Sequence, residues 1–151
     1  MKRALLALAA VASMAASLPA AAQFQKPEDA IKYRQSVMTV MGVHTSRLGA
    51  MAQGRVPYDA KIAAEHLAVI QTVHKLPWVA FQTGSDKGAP TRAKSTIWSD
   101  AAGFKAASDK LAAEAVKLEA AVKAGSADAL KAGFGSFAGT CKACHDNYQS
   151  N

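Results

Sequence analysis

From Gln25 to the C-terminus the apolar residues recur at helical spacing, with only three breaks, so the chain must pack helix against helix. The first helix opens at Pro27, with Glu28 and Asp29 complementing the helix dipole, and runs to about Gln53 before Gly54 and Pro57. Asp59 caps a second helix that ends near Leu76, ahead of Pro77. A polar connector containing Gly84, Gly88 and Pro90 follows. Ser99 or Asp100 caps a third helix ending near Ala124, and Ser126, just after Gly125, caps a fourth that runs almost to the end. The expected inward stripes are Ile31, Met38, Met41 and Leu48; Ile62, Val69, Val73 and Leu76; Phe104, Leu111, Leu118 and Val122; and Leu130, Phe134 and Phe137. No run alternates as a strand does. The predicted fold is all-α, an antiparallel four-helix bundle.

Residues 1–22 stand outside that pattern. Lys2 and Arg3 precede an apolar run from Ala4 to Leu18, and Ala20, Ala21 and Ala22 offer small residues for cleavage. This reads as a secretory signal peptide removed before Gln23, leaving residues 23–151 as one domain. The run is too short for the roughly 20 apolar residues that span a bilayer, so no membrane insertion is expected. Of the 18 basic residues, Lys2 and Arg3 leave with the signal, so 16 remain against 11 acidic ones. They are scattered singly and without interleaved aromatics, which excludes a nucleic-acid partner.

Cys141-Lys142-Ala143-Cys144-His145 carries the chemistry. C-x-x-C-H is the attachment pattern for c-type haem. On a helix these positions share one face, so two thiols and an imidazole project together, and residues 130, 134, 137, 141 and 144 form one stripe. The two thiols can add across the haem vinyl groups while His145 reaches the iron. Zinc would need a fourth ligand, a thioredoxin-like pair a preceding strand, and a disulfide within one helical turn a poor geometry. Only six residues follow His145, so any group on the other side of the haem must come from an earlier helix. Arg34 and Met38 lie one turn apart on the first helix, and the haem propionates are the expected partners for Arg34.

The chain resembles the cytochrome c′ family of bacterial periplasms. The likeness rests on Gln23-Phe24, Lys26 to Ala30, Tyr33-Arg34-Gln35-Ser36, Leu76-Pro77-Trp78, Ile97 to Ala102 and Cys141 to Tyr148, and spans the whole mature chain. The resemblance implies a homodimer of four-helix bundles carrying one covalent haem c. His145 is then the sole protein ligand to iron, Arg34 and Gln35 contact the haem, and Met38 packs over its distal face. It implies a periplasmic protein that binds nitric oxide and carbon monoxide and exchanges electrons with a redox partner, not an enzyme. The alternative is a low-spin electron carrier with Met38 as sixth ligand. Family members often carry a basic residue four positions after the axial histidine, where this chain has Gln149.

His44, His66 and His74 are read as ordinary helix histidines and not as second axial ligands. Met41 and Met51 are read as core packing, and Trp78 and Trp98 as covers for an edge of the haem or bundle. Intact-mass analysis of exported holoprotein is expected to place the N-terminus at Gln23; a chain retaining Met1 would contradict the signal reading.

Overall fold

The structure, a computed structural model, describes residues 23–150; the expected signal peptide lies outside them. Four long helices, α1 (Pro27–Ala52), α2 (Ala60–Val73), α4 (Ala101–Lys123) and α5 (Ala127–Tyr148), form the all-α antiparallel bundle. Each packs on two neighbours: α1 on α2 and α5, and α4 on α5 and α2. Among the described residues the only β pairing is an isolated bridge between Ala93 and Gln149.

Local chemistry sets the helix ends. The side chains of Asp59, Asp100 and Ser126 accept hydrogen bonds from the amides of Ile62, Gly103 and Ala129, satisfying donors that the first turns leave open. Asp100 rather than Ser99 is therefore the cap of α4. Gly54 and Gly125, with φ of 68° and 72°, reverse the chain after α1 and α4. Helix α2 stops at Val73, three residues before the expected end, and a 3-10 turn spans Pro77–Ala80. The connector also contains a single-turn helix, α3 (Thr96–Ser99).

The dry core fills one end of the bundle. Leu48 and Met51 of α1, Leu67 and Ile70 of α2, Leu118 and Val122 of α4, and Leu130, Phe134 and Phe137 of α5 meet there. The stripe expected on α2 is displaced. Ala63, Leu67, Ile70 and the capping His74 face inward, whereas Ile62 and Leu76 are exposed. Both apolar sets have helical spacing, and packing selects the one that includes the small Ala63.

Glycine contacts show how tightly this end is closed. A Cβ on Gly49 would lie 2.7 Å from Cζ of Phe134, whereas one on Gly135 would meet nothing within 4 Å. Thermal unfolding of the holoprotein should show Gly49→Ala destabilising by about 1–3 kcal/mol through overpacking. Gly135→Ala should stabilise by about 0.5–1 kcal/mol, because alanine lowers the conformational cost of the helix. Equal effects of one sign would contradict this packing.

Candidate cofactor site

At the other end the helices do not close on one another. A cavity of about 750 Å³ opens between α1, α4, α5 and the connector. Its size suits a cofactor or other organic ligand. Met38, Met41, Trp78, Phe81, Ile97, Phe104 and Leu111 make most of its wall apolar. Met41 is buried as expected and also lines the cavity, while Met51 sits in the closed core cluster.

Cys141, Cys144 and His145 all line this cavity. Their spacing on α5 brings them to one face, and the unbroken helix up to Tyr148 fixes that face. Burial pushes both thiols above the usual cysteine range, and each also feels the polar or charged groups beside it: Thr140 for Cys141, and Cys141 for Cys144. Raised thiols are the opposite of a reactive dithiol redox pair. Burial, then Arg92, holds the His145 imidazole below its usual range, against the opposing pull of Asp146. A neutral imidazole is the form that can bind a metal.

Across the cavity stand Arg34, Gln35 and Met38 of α1. Met38 is half-buried, and the Gln35 amide donates to the carbonyl of Pro90 at 3.0 Å. Arg34 is 3% exposed and finds its hydrogen-bond partners in the connector. One terminal nitrogen donates to the Ala80 carbonyl at 2.9 Å and to Ser85 Oγ at 2.7 Å. The other donates to the Ser85 carbonyl at 2.6 Å and to Thr91 Oγ1 at 3.0 Å. All four terminal N–H groups thus meet neutral oxygens of the connector. The guanidinium also lies over the Phe81 ring, 4.7 Å from its centroid. Burial lowers its pKa and Asp86 partly offsets this, but a guanidinium stays charged at any ordinary pH.

An aromatic chain supports the same wall. Trp78, Phe81, Phe104 and Tyr148 follow one another with ring centroids 6.3, 4.9 and 5.2 Å apart. The Tyr148 hydroxyl donates to the Asp100 carboxylate at 2.7 Å, tying the end of α5 to the start of α4. Trp98 pins the connector by donating to the carbonyls of Phe81 and Gln82, and it does not line the cavity. Arg92 and Gln149 flank His145 at the cavity mouth, and Arg92 Nε donates to the Ser150 carbonyl. Thr45 Oγ1 belongs to a lining residue and is buried without a hydrogen-bond partner, so it is available to a bound group.

His44, His66 and His74 do not line the cavity, and among the described residues its lining holds no carboxylate. The His74 Nδ1 lies 3.1 Å from the carbonyls of both Ile70 and Gln71 on its own helix. The sequence reading missed Phe81, Ser85, Thr91 and Arg92. They come from the connector, where no periodicity shows which side chain faces inward.

The chain matches the family described as Cytochrome C′ over residues 29–149. It is 55% identical over 127 residues to cytochrome c′ of Rubrivivax gelatinosus, covering 84% of this chain and 98% of that one. The crystal structure of the Rubrivivax gelatinosus protein superposes with a TM-score of 0.81 over 85% of this chain and all of that one. A ferrous variant of cytochrome c prime from Alcaligenes xylosoxidans with bound NO gives a TM-score of 0.78 at 45% identity, covering 85% of this chain and 100% of that one.

Replacing Arg34 by Met should cost about 2–4 kcal/mol, since four buried charged hydrogen bonds are lost and their acceptors stranded. Hydrogen exchange should rise first at residues 80–91. Protection unchanged there would contradict the anchoring role.

Proposed function

The chain belongs to the cytochrome c′ family, and on that premise we propose that it is a periplasmic, homodimeric haem c protein that binds small diatomic gases and transfers electrons. Covalent haem c is the cofactor of this family. One observation carries the reading for this chain. Cys141, Cys144 and His145 line a mostly apolar cavity whose opposite wall offers Met38 and, among the described residues, no second imidazole.

The fit to haem is chemical as well as spatial. Cys141 and Cys144 would hold the group through two thioethers, each S–H adding across one vinyl group with sulfur to one carbon and hydrogen to the other. His145 would supply a nitrogen ligand to the iron. Bound haem would supply a redox-active iron able to take a diatomic ligand. Met38 would narrow access to it from the α1 side, favouring nitric oxide and carbon monoxide over larger ligands. The mostly apolar wall suits the faces of the macrocycle. The bound NO in the Alcaligenes xylosoxidans variant supports the same ligand class here. Export to the periplasm rests on the leader at residues 1–22, and no described helix is long and apolar enough to cross a membrane.

The thioether claim is tested by Cys141→Ala with Cys144→Ala, which should lose all haem on denaturing electrophoresis. Haem retained by the double variant would contradict it. Titrating the ferrous protein with nitric oxide should show saturable binding, and Met38→Ala should strengthen carbon monoxide binding about tenfold, near 1.4 kcal/mol. No binding of nitric oxide would overturn the gas-binding reading.

A further inference from the structure

A second constellation lies away from the cavity. His44 of α1 and His66 of α2 face each other with their Nδ1 atoms 3.0 Å apart. Their ring centroids are 5.1 Å apart and the planes meet at 69°. In the neutral pair one Nδ1–H donates to the other Nδ1, so two imidazole nitrogens converge on one point from two rigid helices. Both rings are half-buried, and neither lines the cavity. The haem chemistry therefore gives no account of this pair.

We propose that His44 and His66 form a two-imidazole site for a late first-row divalent metal ion, copper(II) above all, bridging α1 and α2. The spacing lets both rings reach one ion. An ion about 2.05 Å from both nitrogens, with those nitrogens 3.0 Å apart, subtends an angle of about 94°. That suits the cis angle of tetragonal copper(II) or nickel(II), and among late first-row divalent ions imidazole sites hold copper(II) most tightly. A turn of each ring about its Cβ–Cγ bond aims both Nδ1 lone pairs at the ion, and the proton shared between them leaves Nδ1 as that ring takes its Nε2–H tautomer. Among the described residues no third His, Cys, Asp or Glu completes the set, so water or an added ligand fills the remaining positions.

The surrounding charges act in both directions. Burial, His44 and Arg47 hold His66 below its usual pKa, and Glu65 opposes them. Arg47 weakens cation binding, and Glu65 strengthens it.

The test is titration of ferric holoprotein with copper(II), followed by electron paramagnetic resonance, where the copper signal is separate from that of high-spin iron. Wild type should bind one copper with hyperfine structure from two imidazole nitrogens, and should prefer copper over nickel and nickel over zinc. His44→Gln and His66→Gln should each weaken binding about tenfold or more, and the double variant should abolish it. An unchanged haem spectrum checks that His145 is not involved, and circular dichroism checks the fold. No copper bound by wild type, or the same signal in the double variant, would overturn the proposal. Should a variant unfold, the wild-type hyperfine pattern decides: two imidazole nitrogens support the site, and any other count refutes it.

Discussion

Arg34 is buried with four hydrogen bonds to neutral oxygens and no carboxylate within ion-pair distance among the described residues. A charge in that setting is stable only while every partner stays in place. The partners belong to Ala80, Ser85 and Thr91, so the guanidinium dictates the path of the connector between α2 and α4. That path brings Phe81 and Arg92 to the cavity and leaves Trp98 donating to the carbonyls of Phe81 and Gln82. The shape of the cavity thus depends on a single residue of α1.

The bundle divides its length between two kinds of packing. Toward the far end of α1, Leu48 and Met51 meet Phe134 and Phe137 in a closed core. Toward the other end the same two helices present Arg34 and Met38 against Cys141, Cys144 and His145 across open space. Side chains on neighbouring turns of one helix therefore serve stability and cofactor binding separately. The Tyr148–Asp100 bond and the Ala93–Gln149 bridge secure the last turn of α5, whose position sets the direction of His145.

The four helices and the thiol pair were legible in the sequence because each repeats or spaces chemistry along one axis. Asp59 and Ser126 mark helix starts through local capping bonds, and Pro27 through its fixed φ and missing amide hydrogen, none of which needs a tertiary contact. The α2 face was misread because Ile62 and Ala63 begin two equally periodic stripes, and only the neighbours choose between them. Arg34 was recognised as a buried charge needing partners, but those partners lie 46 to 57 residues away in the connector. Nothing local in that segment, with its glycines and prolines, announces which oxygens turn inward. The His44–His66 pairing was hidden for the same reason: register between two helices is a tertiary property.

The proposed function requires that His145 be the sole protein ligand to the iron and that Met38 stand over the other face without binding it. The absorption spectrum of the reduced, unliganded holoprotein at neutral pH decides this. A five-coordinate high-spin ferrous spectrum is expected. A six-coordinate low-spin spectrum, turned high-spin by Met38→Ala, would contradict it and make this chain a methionine-ligated electron carrier.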